Sequence, residues 1–144
     1  MRHLFCIIFM TCGSLSMLAQ QGFTEPRWVK HKPVSPSIDY YYRITQGEGK
    51  TYDQAYAGAF AKAIYENTAK RGITVSMNAS AEEIEADIAK QVSVADKKIK
   101  MYINKACEYW YKDESIIRIF VLWQIGTDFS HDVRFEEYDG CNQL

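Results

Sequence analysis

The sequence predicts an α+β fold: helices packed as one layer on a mainly antiparallel sheet of about four strands, in the order β-α-β-α-β-β. Three observations predict it. Apolar residues alternate with period two in short runs between residues 38 and 125. An alanine-rich stretch with helical spacing follows the first of these runs. Two longer alternating runs then flank the polar turn Lys112-Asp113-Glu114-Ser115 and close the domain as a hairpin. A chain of 144 residues fits a single domain with a sizeable core. Its 17 basic and 18 acidic residues create no global field for nucleic acid, so that class of partner is not expected.

Residues 1–19, MRHLFCIIFMTCGSLSMLA, form the first segment. A basic start at Arg2, an apolar run from Leu4 to Met10 and small or weakly polar residues to Ala19 are the layout of a secretory signal peptide. Thr11, Gly13, Ser14 and Ser16 interrupt the run, which falls short of the ~20 apolar residues of a membrane span. Cleavage is expected between Ala19 and Gln20. Membrane association stays open, but there is no convincing lipobox: Cys12 follows Phe9-Met10-Thr11, and Cys6 comes too early. After cleavage only Cys107 and Cys141 remain. An oxidising compartment permits them to pair, and the sequence alone leaves that pairing open.

Residues 20–37 hold all three prolines and little periodicity, and read as an extended lead-in. Trp28 and Val29 are its apolar anchors. Either Trp28 pins the segment onto the domain, or the segment is a linker with an incidental tryptophan. The domain proper is 38–127. Its first strand spans about Ile38 to Thr45, with Tyr40, Tyr42 and Ile44 on one face and Tyr41, Arg43 and Thr45 on the other. Gly47 and Gly49 are expected to break it.

Gly49-Lys50-Thr51 resembles the end of a phosphate loop, but Ile44 stands where the first glycine of that motif belongs. The stretch is better explained as a turn and helix start. Thr51 caps the helix, Gln54 completes a capping box, and Tyr52, Ala55, Tyr56, Ala59, Phe60, Ala63 and Ile64 form its apolar stripe. Small alanines let such a helix lie close to a sheet. Arg71-Gly72 supplies its stop.

Ile73, Val75 and Met77 alternate as a second strand. Ser80-Ala81-Glu82-Glu83 is another capping box, opening a helix to about Val94 through Ile84, Ile88 and Val92. The hairpin follows. Ile99, Met101 and Ile103 alternate, a bulge falls near Asn104-Lys105, and Cys107, Tyr109 and Tyr111 continue the strand. Its partner presents Ile117, Ile119, Val121, Trp123 and Ile125 on one face. The tail, 128–144, either packs loosely or adds an edge segment.

No catalytic constellation emerges. His3 belongs to the leader, His31 to the lead-in and His131 to the tail. Glu82, Glu83, Glu85 and Asp87 are explained by the dipole of the helix they open. No cofactor or metal site is expected. The feature that bears on function is the sheet's second face, to which Tyr41, Arg43, Trp110, Arg118, Phe120 and Leu122 are assigned. Either the second helix or the tail covers it, or it is an interface for an envelope protein, a glycan or a second copy.

Pro26-Arg27-Trp28-Val29, Gly47-Glu48-Gly49, the helix from Thr51 through Ala55, Ala59 and Ala63, and the aromatic pair Glu108-Tyr109-Trp110-Tyr111 and Ile119-Phe120-Val121 resemble the twenty-kilodalton lipoprotein family of bacterial envelopes. The resemblance covers about Pro26 to Ile125. It implies a small α+β domain in the periplasm or at the outer-membrane periphery of a Gram-negative bacterium, with no established reaction. The reading is therefore an exported, non-enzymatic interaction or structural module. The alternative is an exported hydrolase of glycan or peptide, with a site built from dispersed acids and tyrosines.

Overall fold

The computed structural model describes residues 24–70, 72–76, 79–94, 101–127 and 132–144. The expected leader with its Ala19–Gln20 cleavage point lies outside them, as do Arg71, Met77, Ile99 and His131. The elements follow in the order α1 (Arg27–Lys30), β1 (Tyr40–Gly49), α2 (Tyr52–Ala69), α3 (Ala81–Val94), β2 (Ile103–Asp113), β3 (Ile116–Gly126) and a closing 3-10 turn (Asp139–Asn142). The strands make one antiparallel sheet in the order β1-β3-β2. The last strand is thus the central one, and Ile119 and Val121 through Ile125 are buried because both faces of it are covered.

The α+β class holds, but three strands, not four, are found among the described residues. The expected strand at Ile73 and Val75 is the one that fails. Both side chains are buried, as their alternation requires. The backbone between them is satisfied otherwise: Thr74 donates its N–H to Gln91 Oε1 at 2.9 Å and accepts Gln91 Nε2 at 2.7 Å on its carbonyl. A single amide side chain from α3 takes the place of a neighbouring strand.

β1 also runs further than expected, through Gly47 to Gly49. These glycines do not break the strand; they admit the helix above it. A Cβ at Gly47 would overlap the carbonyl oxygen of Ala55, and one at Gly49 would lie 2.6 Å from Gln54 Cβ. Glycine inside a strand marks such close backbone approach. The facing side of α2 is correspondingly small, with Ala55, Ala59 and Ala63 fully buried.

The starts of α2 and α3 follow their local chemistry. Thr51 Oγ1 accepts the Gln54 N–H at 3.3 Å, while Gln54 Oε1 accepts the N–H of Lys50 at 3.0 Å. At α3 the box is reciprocal, Glu83 N–H to Ser80 Oγ at 3.2 Å and Ser80 N–H to Glu83 Oε2 at 2.7 Å. α2 is closed by Gly72 at φ 71°, with Ile73 N–H bonded to Thr68 O and Gly72 N–H to Ala69 O. That double bond pattern is the Schellman stop, which needs a left-handed residue.

The β2–β3 register slips between Lys105 and Cys107, one residue beyond the expected bulge position. Ala106 is the extra residue. Ile103 and Lys105 therefore share a face with Glu108 and Trp110, while Cys107, Tyr109 and Tyr111 take the other.

Two cores result. One lies between the sheet and the helices α2 and α3, around Phe60, Ile64, Ile84, Ile88, Val121 and Trp123. The other lies on the opposite face, where Tyr40, Tyr42, Cys107, Tyr109 and Leu122 meet Trp28 of α1 and, from the tail, Phe135 and Tyr138.

Candidate functional site

The six residues assigned to a common second face do not share one. The antiparallel register pairs Arg43 with Trp123 and Ile44 with Leu122, so residues of β1 with odd numbers face α2. Tyr41, Arg43 and Trp110 lie on the helix side. Arg43 binds Glu66 of α2 at 2.8 Å, and Trp110 packs edge-on against Tyr52 of α2. Arg118, Phe120 and Leu122 belong to the opposite side, with Tyr40, Tyr42, Tyr109 and Tyr111. Leu122 is fully buried there and unavailable to a partner.

The cover on that second face comes from both ends of the described chain. The lead-in is not simply extended: α1 makes one turn and drives Trp28, 1% exposed, between the sheet and the tail. Its indole Nε1 donates to Cys141 O at 3.1 Å, and Arg27 N–H donates to Gln143 O at 2.7 Å. Trp28 is therefore an anchor. Cys107 of β2 and Cys141 of the 3-10 turn form a disulfide, with Cα atoms 5.4 Å apart. Phe135 and Tyr138 pack on Tyr40 and Tyr42, each at 5.5 Å between ring centres.

A buried polar node sits under this strap. Gln124, with no exposed surface, accepts Asn104 Nδ2 at 2.7 Å and donates to Glu136 O at 2.6 Å and to the Tyr42 hydroxyl at 3.3 Å. Burial pushes the Tyr42 hydroxyl up to about 12, so it stays neutral and holds its place as a hydrogen-bonding group. Without the glutamine the tail carbonyl would lose its partner.

Beyond the strap, toward the hairpin turn, the second face is only half covered. Phe120 stacks with Tyr109 and Tyr111 at ring separations of 6.3 and 6.5 Å, and Ile44 lies beside them. Arg118 borders this strip, 3.3 Å from Glu48 and 3.9 Å from Asp113. Rings with a mixed-charge rim make a surface of the kind that protein interfaces favour.

The helix side carries a second polar cluster. Tyr52 donates to Glu108 Oε1 at 2.7 Å, and Lys105 Nζ contacts Glu108 Oε2 at 2.6 Å while lying 5.4 Å from the centre of the Tyr56 ring. Burial, followed by the Glu108 carboxylate that accepts its proton, drives the Tyr52 hydroxyl far above its ordinary 10.0. Each oxygen of Glu108 is thereby engaged by a partner from α2 or β2. This is a brace between helix and sheet.

An open cleft of about 460 Å³ lies along β1, lined by Arg43, Ile44, Thr45, Gln46, Lys62 and Tyr65. Lys62 Nζ reaches the Gln46 carbonyl at 2.6 Å and occupies that position on the strand. Lysine so placed blunts a strand against pairing. His31 is exposed, and no group of three or more metal-ligating side chains occurs among the described residues. No helix among the described residues is long and apolar enough to cross a membrane.

No protein-family model, curated protein or solved structure matches this chain.

Proposed function

We propose that the chain is an exported envelope protein that acts as a non-enzymatic interaction or structural module, binding its partner through the half-covered strip around Phe120. The carrying observation is the Cys107–Cys141 disulfide. It joins the two cysteines that remain once the leader is removed, and persistent disulfides belong to oxidising compartments. The module reading is supported by the braced state of Glu108 and Tyr52, the acid and tyrosine brought together on the helix side.

The resemblance to the twenty-kilodalton lipoprotein family supports the same reading. Trp28, Gly47, Gly49 and the alanines of α2, which carry that resemblance, are residues with definite packing roles here.

Fractionation with mass analysis of the mature chain tests the reading, combined with a photo-crosslinker placed at position 120. The expected result is a chain beginning at Gln20 in the envelope fraction, with a discrete adduct from position 120 and none from the exposed Lys70. An intact leader on a cytosolic chain, or adducts that do not differ between the two positions, would sink it.

A further inference from the structure

The two cores meet at the sheet but are held by different means. Hydrogen-bonded helices cover the first. The second is covered by α1 and by tail residues 132–138, which have no regular structure and make no ladder with the sheet. The bond Arg27 N–H to Gln143 O joins the two halves of this cover to each other. Trp28 Nε1 does the same through Cys141 O. Among the described residues, ties from the strap to the sheet and its flank include the bond from Gln124 to Glu136 O, that from the Tyr102 hydroxyl to Asp132, the packing of Trp28 beside Leu122, the ring contacts of Phe135 and Tyr138, and the disulfide. The disulfide is the covalent one, and it belongs wholly to the second core.

We propose that Cys107–Cys141 is the latch of a redox-released strap. In the oxidised protein, α1 and residues 132–144 are closed over Tyr40, Tyr42, Tyr109 and Leu122. Reduction frees both ends of the strap together, because Trp28 is seated on Cys141. The uncovered aromatic surface then runs on into the strip around Phe120.

The geometry also orders the chemistry. Cys141 is partly exposed, whereas Cys107 is 5% exposed. A thiolate from a dithiol reductant of the Cys-x-x-Cys class attacks Cys141 Sγ, forming a mixed disulfide as the Sγ–Sγ bond breaks. The Cys107 sulfur leaves as thiolate and takes a proton. The reductant's second thiol, deprotonated, then attacks its own mixed disulfide, and the Cys141 sulfur leaves and is protonated. Two electrons and two protons pass to the chain, and the reductant becomes a disulfide.

Hydrogen exchange read by mass spectrometry tests this on the purified full chain, independently of its compartment. The oxidised protein is compared with protein reduced by a phosphine and with the double variant C107S/C141S. Exchange in residues 27–31 and 132–144 is expected to rise roughly tenfold or more in both reduced forms, while α2 keeps its protection. Unchanged exchange in the strap would overturn the latch. So would loss of protection across α2 together with the strap, since the bond would then hold the whole fold and not one layer of it.

Discussion

Gly47 and Gly58 lie against each other where α2 crosses β1, and they obey opposite constraints. A Cβ on Gly47 has nowhere to go, because backbone atoms of Ala55 and Ala59 occupy its place. A Cβ on Gly58 would meet its nearest neighbour, Gly47 Cα, at 3.8 Å, an ordinary contact. Gly47→Ala should therefore destabilise the protein by about 1–3 kcal/mol or more, the range for overpacking. Gly58→Ala should stabilise it by ~0.5–1 kcal/mol through helix propensity alone. Urea unfolding of the two variants checks this, and effects of the same sign would contradict the crossing geometry. The same crossing explains why Thr45 is buried without cost. It donates to Ala59 O at 2.7 Å and accepts the Trp123 indole N–H at 2.8 Å, so neither polar group is orphaned.

At the scale of elements, α3 carries a pH-dependent contribution that its sequence did not advertise. Glu85 falls in the acidic first half of the helix, where the dipole favours a carboxylate. In the fold, burial and then the nearby Glu82 raise its pKa above the ordinary 4.5. A raised folded pKa means the fold prefers the protonated acid, so this group's contribution is fully present below 4.5 and is lost as pH rises through the folded value. Glu85→Gln should accordingly be more stable than the parent at neutral pH, with the gain shrinking to nothing under acid conditions. Thermal melts across that range check it; a gain that grows toward low pH would reverse the assignment. The elements legible in the sequence were those specified locally. Thr51 with Gln54, Ser80 with Glu83, and Gly72 each fix a helix end within a few residues. The missing strand at Ile73 was not legible. Alternation reports which side chains are buried, and it cannot say whether the backbone pairs with a strand or with the distant side chain of Gln91.

For the whole molecule, the decisive feature is a sheet with two differently covered faces. The sequence located the strands of the hairpin and the set Ile117, Ile119, Val121, Trp123 and Ile125 as one face of the closing strand, the face that packs under the helices. It misassigned the second face because face identity depends on register, which is non-local. Arg43 opposite Trp123, and the slip at Ala106, decide that Tyr41 and Trp110 lie under α2 and Phe120 does not. The strap was illegible for the same reason. Nothing near Trp28 in the chain announces Cys141, 113 residues away. Together these contacts turn a lead-in and a tail into the second layer of the domain, and the proposed export of the chain is what allows that layer to be locked covalently.

Peptide mapping of the native protein, with thiols blocked at lysis and the digest run without reductant, tests this account most directly. It predicts one linked peptide joining Cys107 to Cys141. Recovery of both cysteines as blocked free thiols, or of either one joined to Cys6 or Cys12, would contradict it.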